Sequence, residues 1–157
     1  MRTKETYSPI TMEISAHESR IGNVGMIGLS GIVDRTNYKL FWACAKEHMS
    51  NGNYRGMVVD FTHVESIDSA IAAALVKIYS RAGYNEKGLA IVAPHGEERK
   101  RVIGRLEISR LDTILPVYDT IDDALSNIII YRKKKEPMKR RWYHFLRASR
   151  GAKKDAA

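Results

Sequence analysis

Asp68 and Ser69 stand side by side where an apolar run gives way to an alanine-rich helical pattern, in VVDFTHVESIDSAIAAALVKI over residues 58–78. Asp or Ser before such a pattern is a helix cap: its side-chain oxygen accepts from first-turn amides that have no partner within the helix. The same position suits a second chemistry. A hydroxyl presented at a helix N-terminus is a place for a phosphate, because the dipole and the free amides favour negative charge there. The residue types leave both roles open for Ser69, with capping the simpler.

Other groupings carry less chemistry. His63, Asp68 and Ser69 include the side chains of a hydrolase, but the strand-to-helix turn lacks a G-x-S-x-G elbow and no stretch marks an oxyanion hole. His17, His48, His63, His95 and His144 have no paired spacing with one another or with Cys44, so no metal site is expected. Gly22, Gly25, Gly28 and Gly31 recur every third residue yet match neither a dinucleotide fingerprint nor a phosphate loop. In and around a strand they mark twist or bulge. Asp122 and Asp123 read as first-turn charge, since adjacent helical positions do not face each other. Cys44, within FWACAKEHM, reads as a small packed hydrophobe. The chain is expected to bind rather than to catalyse, without a cofactor.

The elements that must hold Asp68 and Ser69 follow from periodicity. Alternation in TMEIS and VGMIGLSG predicts an antiparallel hairpin with AHESRIGN as its turn. Leu40, Phe41, Ala43, Cys44, His48 and Met49 fall at helical spacing, and Asn51-Gly52 closes that helix. Residues 56–61 form an unbroken apolar strand, the mark of burial on both faces. A short polar loop then leads to a helix from Ser69 to Ala82-Gly83. Its inner face is Ile71, Ala74, Leu75 and Ile78, with Ala72 and Ala73 allowing close approach to the sheet. LAIVAP is a further strand, and Val102, Ile103 and Leu106 line the helix after it. ILPVYD is a last strand, placed at a sheet edge by Pro116. Thr120 caps a final helix through Ala124, Leu125 and Ile128. The order β-β-α-β-α-β-α-β-α over about residues 10–131 predicts an α/β fold with a mixed sheet.

In this order the motifs resemble the STAS family, the domain of sulfate transporters and bacterial anti-sigma factor antagonists. Val58-Val59-Asp60-Phe61, then Val64, then Ile67-Asp68-Ser69 reproduce the family's strand, loop and Asp-Ser helix start. Leu29-Ser30-Gly31 followed by Asp34 is similar to its L-x-G-x-x-D stretch. The resemblance implies a STAS-like mixed sheet with an N-terminal hairpin and four helices. It also implies a phosphorylation-switched binding module of the antagonist branch. By that resemblance Ser69 is the phosphoacceptor of a serine kinase that is also the anti-sigma factor, and a PP2C-type phosphatase reverses the modification. Unphosphorylated, the module would sequester the anti-sigma factor. Asp68 and the adjoining Asp34, Arg35, Thr36 and Asn37 would border the same partner-binding surface. A STAS subunit or scaffold of a membrane transport assembly is the alternative. The sequence departs from the family at Ala70 and Ile71, where a small residue and Gly are usual. A β-branched residue there is expected to narrow a kinase's approach to Ser69, with Ser66 and Thr62 as nearby hydroxyls.

Charge divides the chain. Residues 132–157 carry 11 of its 26 Lys and Arg but two of its 18 Asp and Glu, so the net +8 belongs to this tail and the other 131 residues are near −1. The expected organisation is a STAS-like domain over 1–131 and a basic amphipathic tail over 132–157, set apart by Pro137. Met138, Trp142, Phe145, Leu146 and Ser149 share one helical face. Trp142, Phe145 and Leu146 are the expected tail contact, with a second protein or peripherally with a membrane. The body adds no basic face, so direct DNA binding is not expected. No apolar run reaches about 18 residues, no signal-peptide pattern opens the chain, and a single cysteine fits a reducing compartment. The expected location is cytoplasmic.

Overall fold

A computed structural model describes residues 10–131. β1 (Thr11–Ser19) and β2 (Gly22–Val33) are followed by α1 (Tyr38–Ser50), β3 (Gly56–Ile67), α2 (Ser69–Tyr84) and β4 (Gly88–Val92). Then come α3 (Gly96–Ile108), a 3-10 turn at Leu111–Thr113, β5 (Val117–Tyr118) and α4 (Ile121–Asn127). The strands lie side by side in chain order, antiparallel in the β1–β2 hairpin and parallel from β2 to β5. This is the mixed α/β sheet with an opening hairpin and four helices that the alternation predicts.

Both faces of the sheet are covered. Met57, Val59 and Phe61 of β3 with Leu89 and Ile91 of β4 pack against Phe41 and Met49 of α1, Ile71, Leu75 and Ile78 of α2, and Val102 and Leu106 of α3. On the other face Val24, Val58, Ala90 and Val92 meet Ala124 and Ile128 of α4. Alternate residues of β3 and β4 thus serve different cores, which is why their sequences read as unbroken apolar runs. β5 lies at the edge, and Pro116 just before it costs no ladder donor: its carbonyl accepts from Ile91 N at 3.0 Å.

Several boundaries differ from the pattern. The hairpin turn is only Arg20-Ile21, because residues 16–19 continue β1. The outer side of α1 includes Leu40, 55% exposed, and Ala43, both expected inward. In α2, Ala72 and Ala74 approach the core while Ala73 faces out. The largest difference lies in the segment expected to be a polar loop. Residues 62–67 prolong β3, pairing with β2 through two register shifts at Gly28/Ser30 and Gly31/Ile32. Each shift adds one residue on β3, so its core positions step as Phe61, Val64 and Ile67. The bulges also explain Gly31, whose φ of 93° is costly for any residue with a side chain. Among the described residues no helix is long and apolar enough to cross a membrane.

Candidate functional site

The end of β3 delivers Asp68 directly onto the first turn of α2. Held in an extended conformation, Asp68 uses Oδ1 to accept from Ala70 N at 3.0 Å and Ile71 N at 3.2 Å. Its other oxygen, Oδ2, accepts from Arg35 N at 3.0 Å. One carboxylate therefore caps α2, complements its dipole and ties it to the loop between β2 and α1.

That loop is braced from within. Asp34 Oδ1 accepts from the amide of Thr36 at 2.9 Å and from its hydroxyl at 2.5 Å. Asn37 Oδ1 accepts from Asp34 N, and Asn37 Nδ2 donates to Ile32 O, both at 2.9 Å. The Thr36 hydroxyl and amide bonds hold the Asp34 carboxyl below the usual aspartate range, with the charge of Arg35 assisting against partial burial. Asp34, Arg35, Thr36, Asn37, Asp68 and Ser69 are thus one contiguous surface at one end of α1 and α2.

Within it the capping role that sequence left open falls to one residue. Asp68 is the cap. Ser69 is exposed, and its hydroxyl makes no hydrogen bond among the described residues. The neighbouring hydroxyls are less available: that of Thr62 donates to Asp60 Oδ1, and Ser66 is half-buried within β3. Ile71, expected to obstruct the approach to Ser69, is fully buried in the core. In the first turn of α2 its side chain joins the core cluster, and Ala70 is what borders the serine. Trp142, Phe145 and Leu146 lie outside the described residues.

One part of this surface escaped the sequence reading. α1 and α2 leave an open groove of about 220 Å³ lined by Tyr38, Trp42, Ala70, Ala73, Ala74 and Lys77. Trp42 is flanked by two cations, with Lys77 Nζ and Arg81 Cζ each 5.6 Å from its ring centroid. Tyr38/Trp42 are spaced i, i+4 and Ala70/Ala73/Ala74/Lys77 i, i+3, i+4, i+7, so each set lies along one side of its helix. What periodicity does not reveal is that these two faces meet.

A five-stranded mixed sheet that sets an Asp-Ser helix start beside an L-x-G-x-x-D loop defines a STAS-type module. The family profile described as "Mlab, STAS domain" matches residues 16–116, and the chain belongs to the STAS family. A Thermotoga neapolitana protein named, provisionally, an anti-sigma factor antagonist is 32% identical over 92 residues, 59% of this chain and 78% of that protein. The crystal structure of an anti-sigma factor antagonist from Mycobacterium paratuberculosis superposes with a TM-score of 0.64 at 21% identity, over 78% of this chain and 96% of that one. The antagonist SpoIIAA in its unphosphorylated form gives 0.52 at 12% identity, over 73% and 92%. SpoIIAA of Bacillus has the same fold in its phosphorylated form, with a TM-score of 0.53 at 15% identity, over 73% and 96%.

Proposed function

We propose that this protein is an anti-sigma factor antagonist whose binding surface is switched by phosphorylation of Ser69. Unphosphorylated, the surface formed by Asp34, Arg35, Thr36, Asn37, Asp68 and Ser69 engages an anti-sigma factor that is also a serine kinase. A PP2C-type phosphatase resets it. The observation that carries the reading is the free, exposed hydroxyl of Ser69 on a helix already capped by Asp68. Modification there removes no hydrogen bond made among the described residues. A relative solved in both phosphorylation states, and relatives named as antagonists, support the same reading.

The chemistry of the switch is electrostatic. A phosphate adds about −1.5 to −2 charges and three acceptor oxygens. On a free helix N-terminus that charge is tolerated, whereas in a complex it must be desolvated next to Asp68. Ser69→Asp is therefore expected to abolish capture of the cognate kinase-like regulator while melting within a few degrees of wild type, and Ser69→Ala to bind constitutively. Equal binding by the two variants, or phosphate mapped by peptide analysis to Ser66, Thr62 or Ser149 alone, would refute the switch. Co-purification of a membrane ATPase or permease instead of such a regulator would favour the transport-assembly reading.

A further inference from the structure

The groove between α1 and α2 combines small, aromatic and cationic side chains. Its floor is Ala70, Ala73 and Ala74, its wall is Tyr38 and Trp42, and its rim is Lys77 with Arg81 one turn beyond. Small residues open the depression and aromatic rings give it an apolar side. α2 contains no acidic residue between Ser69 and Tyr84, while the 131 residues before the tail sum to about −1. The carboxylates at the near end, Asp34 and Asp68, are already occupied by backbone amides. The groove is thus an apolar slot with a cationic rim on an otherwise near-neutral body.

We infer that this groove seats a partner segment in which an apolar side chain is flanked by carboxylates. The apolar group fills the space over the alanines against Trp42, and the carboxylates pair with Lys77 and Arg81, which the indole face already holds in place. The chain's own tail is the wrong occupant, because its 11 basic and two acidic residues would meet the same cations. The inference rests on the antagonist reading of this surface and names the chemistry of its partner. It also gives the switch a second lever. Ser69 adjoins Ala70 at the groove's end, so a phosphate there faces the incoming carboxylates as well as Asp68.

The test uses the full-length chain labelled with 15N and three short synthetic helical peptides. One carries Leu and Phe at i and i+4 among Asp and Glu; a second replaces every acid by Lys; a third replaces Leu and Phe by Ser. The acidic apolar peptide should shift the Trp42 indole resonance, assigned with Trp42→Phe, and the amides from Ala70 to Lys77, while both controls should not. Lys77→Glu/Arg81→Glu, two exposed positions, should weaken that binding on the order of tenfold or more and transfer preference to the basic peptide. No indole shift with the acidic peptide at millimolar concentration, equal binding of the basic peptide, or equal binding of a peptide of residues 132–157 would overturn the inference. A cognate anti-sigma factor that binds wild type and Lys77→Glu/Arg81→Glu equally overturns the groove and leaves the antagonist reading standing. Peptide binding in the groove without any anti-sigma factor complex does the reverse.

Discussion

Replacing Asp68 by Ala separates structural chemistry from the proposed regulatory chemistry at this helix start. The substitution removes two amide bonds at the first turn of α2, from Ala70 and Ile71, and the bond from Arg35 N that ties the β2–α1 loop to the helix. Loss of an aspartate cap costs about 1 kcal/mol, within roughly 0.5–2. The Arg35 bond is solvent-exposed, so its net worth falls below the usual range for a charged acceptor, to about 0.5–1 kcal/mol. Together they give a loss of about 2 kcal/mol, a fall in Tm of about 6–10 °C for a domain of this size. Asp68→Asn keeps an acceptor for the cap and should recover at least half. Ser69→Ala, removing a hydroxyl with no partner among the described residues, should stay within about 0.5 kcal/mol of wild type. Thermal melts followed by circular dichroism give the magnitudes. Hydrogen exchange at Arg35, Ala70 and Ile71 should accelerate in Asp68→Ala but not in Ser69→Ala. If Ser69→Ala cost as much as Asp68→Ala, or Asp68→Ala cost nothing, the division of labour argued here would be wrong.

Asp34 should titrate below an ordinary aspartate by carbon-detected NMR, and Thr36→Val should move it back up. Because the folded value is depressed, its contribution to stability is full above the unfolded value and is lost as pH falls through the folded one, so Thr36→Val should flatten that part of the acid limb. Gly25→Ala should destabilise by about 1–3 kcal/mol, since a Cβ there would lie 2.1 Å from His48 Cδ2 on a ring stacked against Tyr54; His48→Ala should recover part of the loss in a double-mutant cycle. Deleting residues 132–157 should move the net charge from +8 to about −1 and leave a cooperatively folding domain; aggregation or a Tm far below full length would join the tail to the core. With candidate partner, anionic vesicles and DNA in turn, contacts through Trp142, Phe145 and Leu146 should survive moderate salt, and a steep loss would mark them as purely ionic.

The parallel core was legible because Val58, Val59, Ala90, Ile91 and their neighbours are buried on both faces, which writes itself as an uninterrupted apolar run. The second half of β3 was not legible. Its two bulges turn a period of two into steps of three at Phe61, Val64 and Ile67, and THVES between them has the composition of a loop. Ile71, by contrast, was legible as an inward position from the helical spacing it shares with Ala74, Leu75 and Ile78. At the candidate site, residue types placed Asp68 and Ser69 at a helix start, but both carry a capping oxygen. Only geometry assigns the cap to Asp68, whose longer side chain also reaches Arg35 N from the opposite side. The groove was hidden for a different reason: each of its walls belongs to a helix whose partner is chosen by the tertiary fold.

The division of labour matters because it lets one added charge have different costs in different settings. Two unit charges about 5 Å apart repel by ~0.8 kcal/mol in water and by ~3 kcal/mol at an effective dielectric of about 20. In the free protein Ser69 is exposed and Asp68 half-buried, so repulsion from the proposed phosphate would stay nearer the lower figure per charge. The helix dipole returns about 0.3–1 kcal/mol of it. The fold is nearly indifferent. Pressing the proposed partner onto the same surface would expel water and raise the repulsion toward the higher figure, a difference of about 2 kcal/mol or roughly 30- to 40-fold in affinity per charge. Had Ser69 been the cap, modification would have disturbed the amides that start α2 and spread into the β2–α1 loop. With Asp68 holding that junction, the cost of the proposed phosphate would fall on the complex and spare the domain.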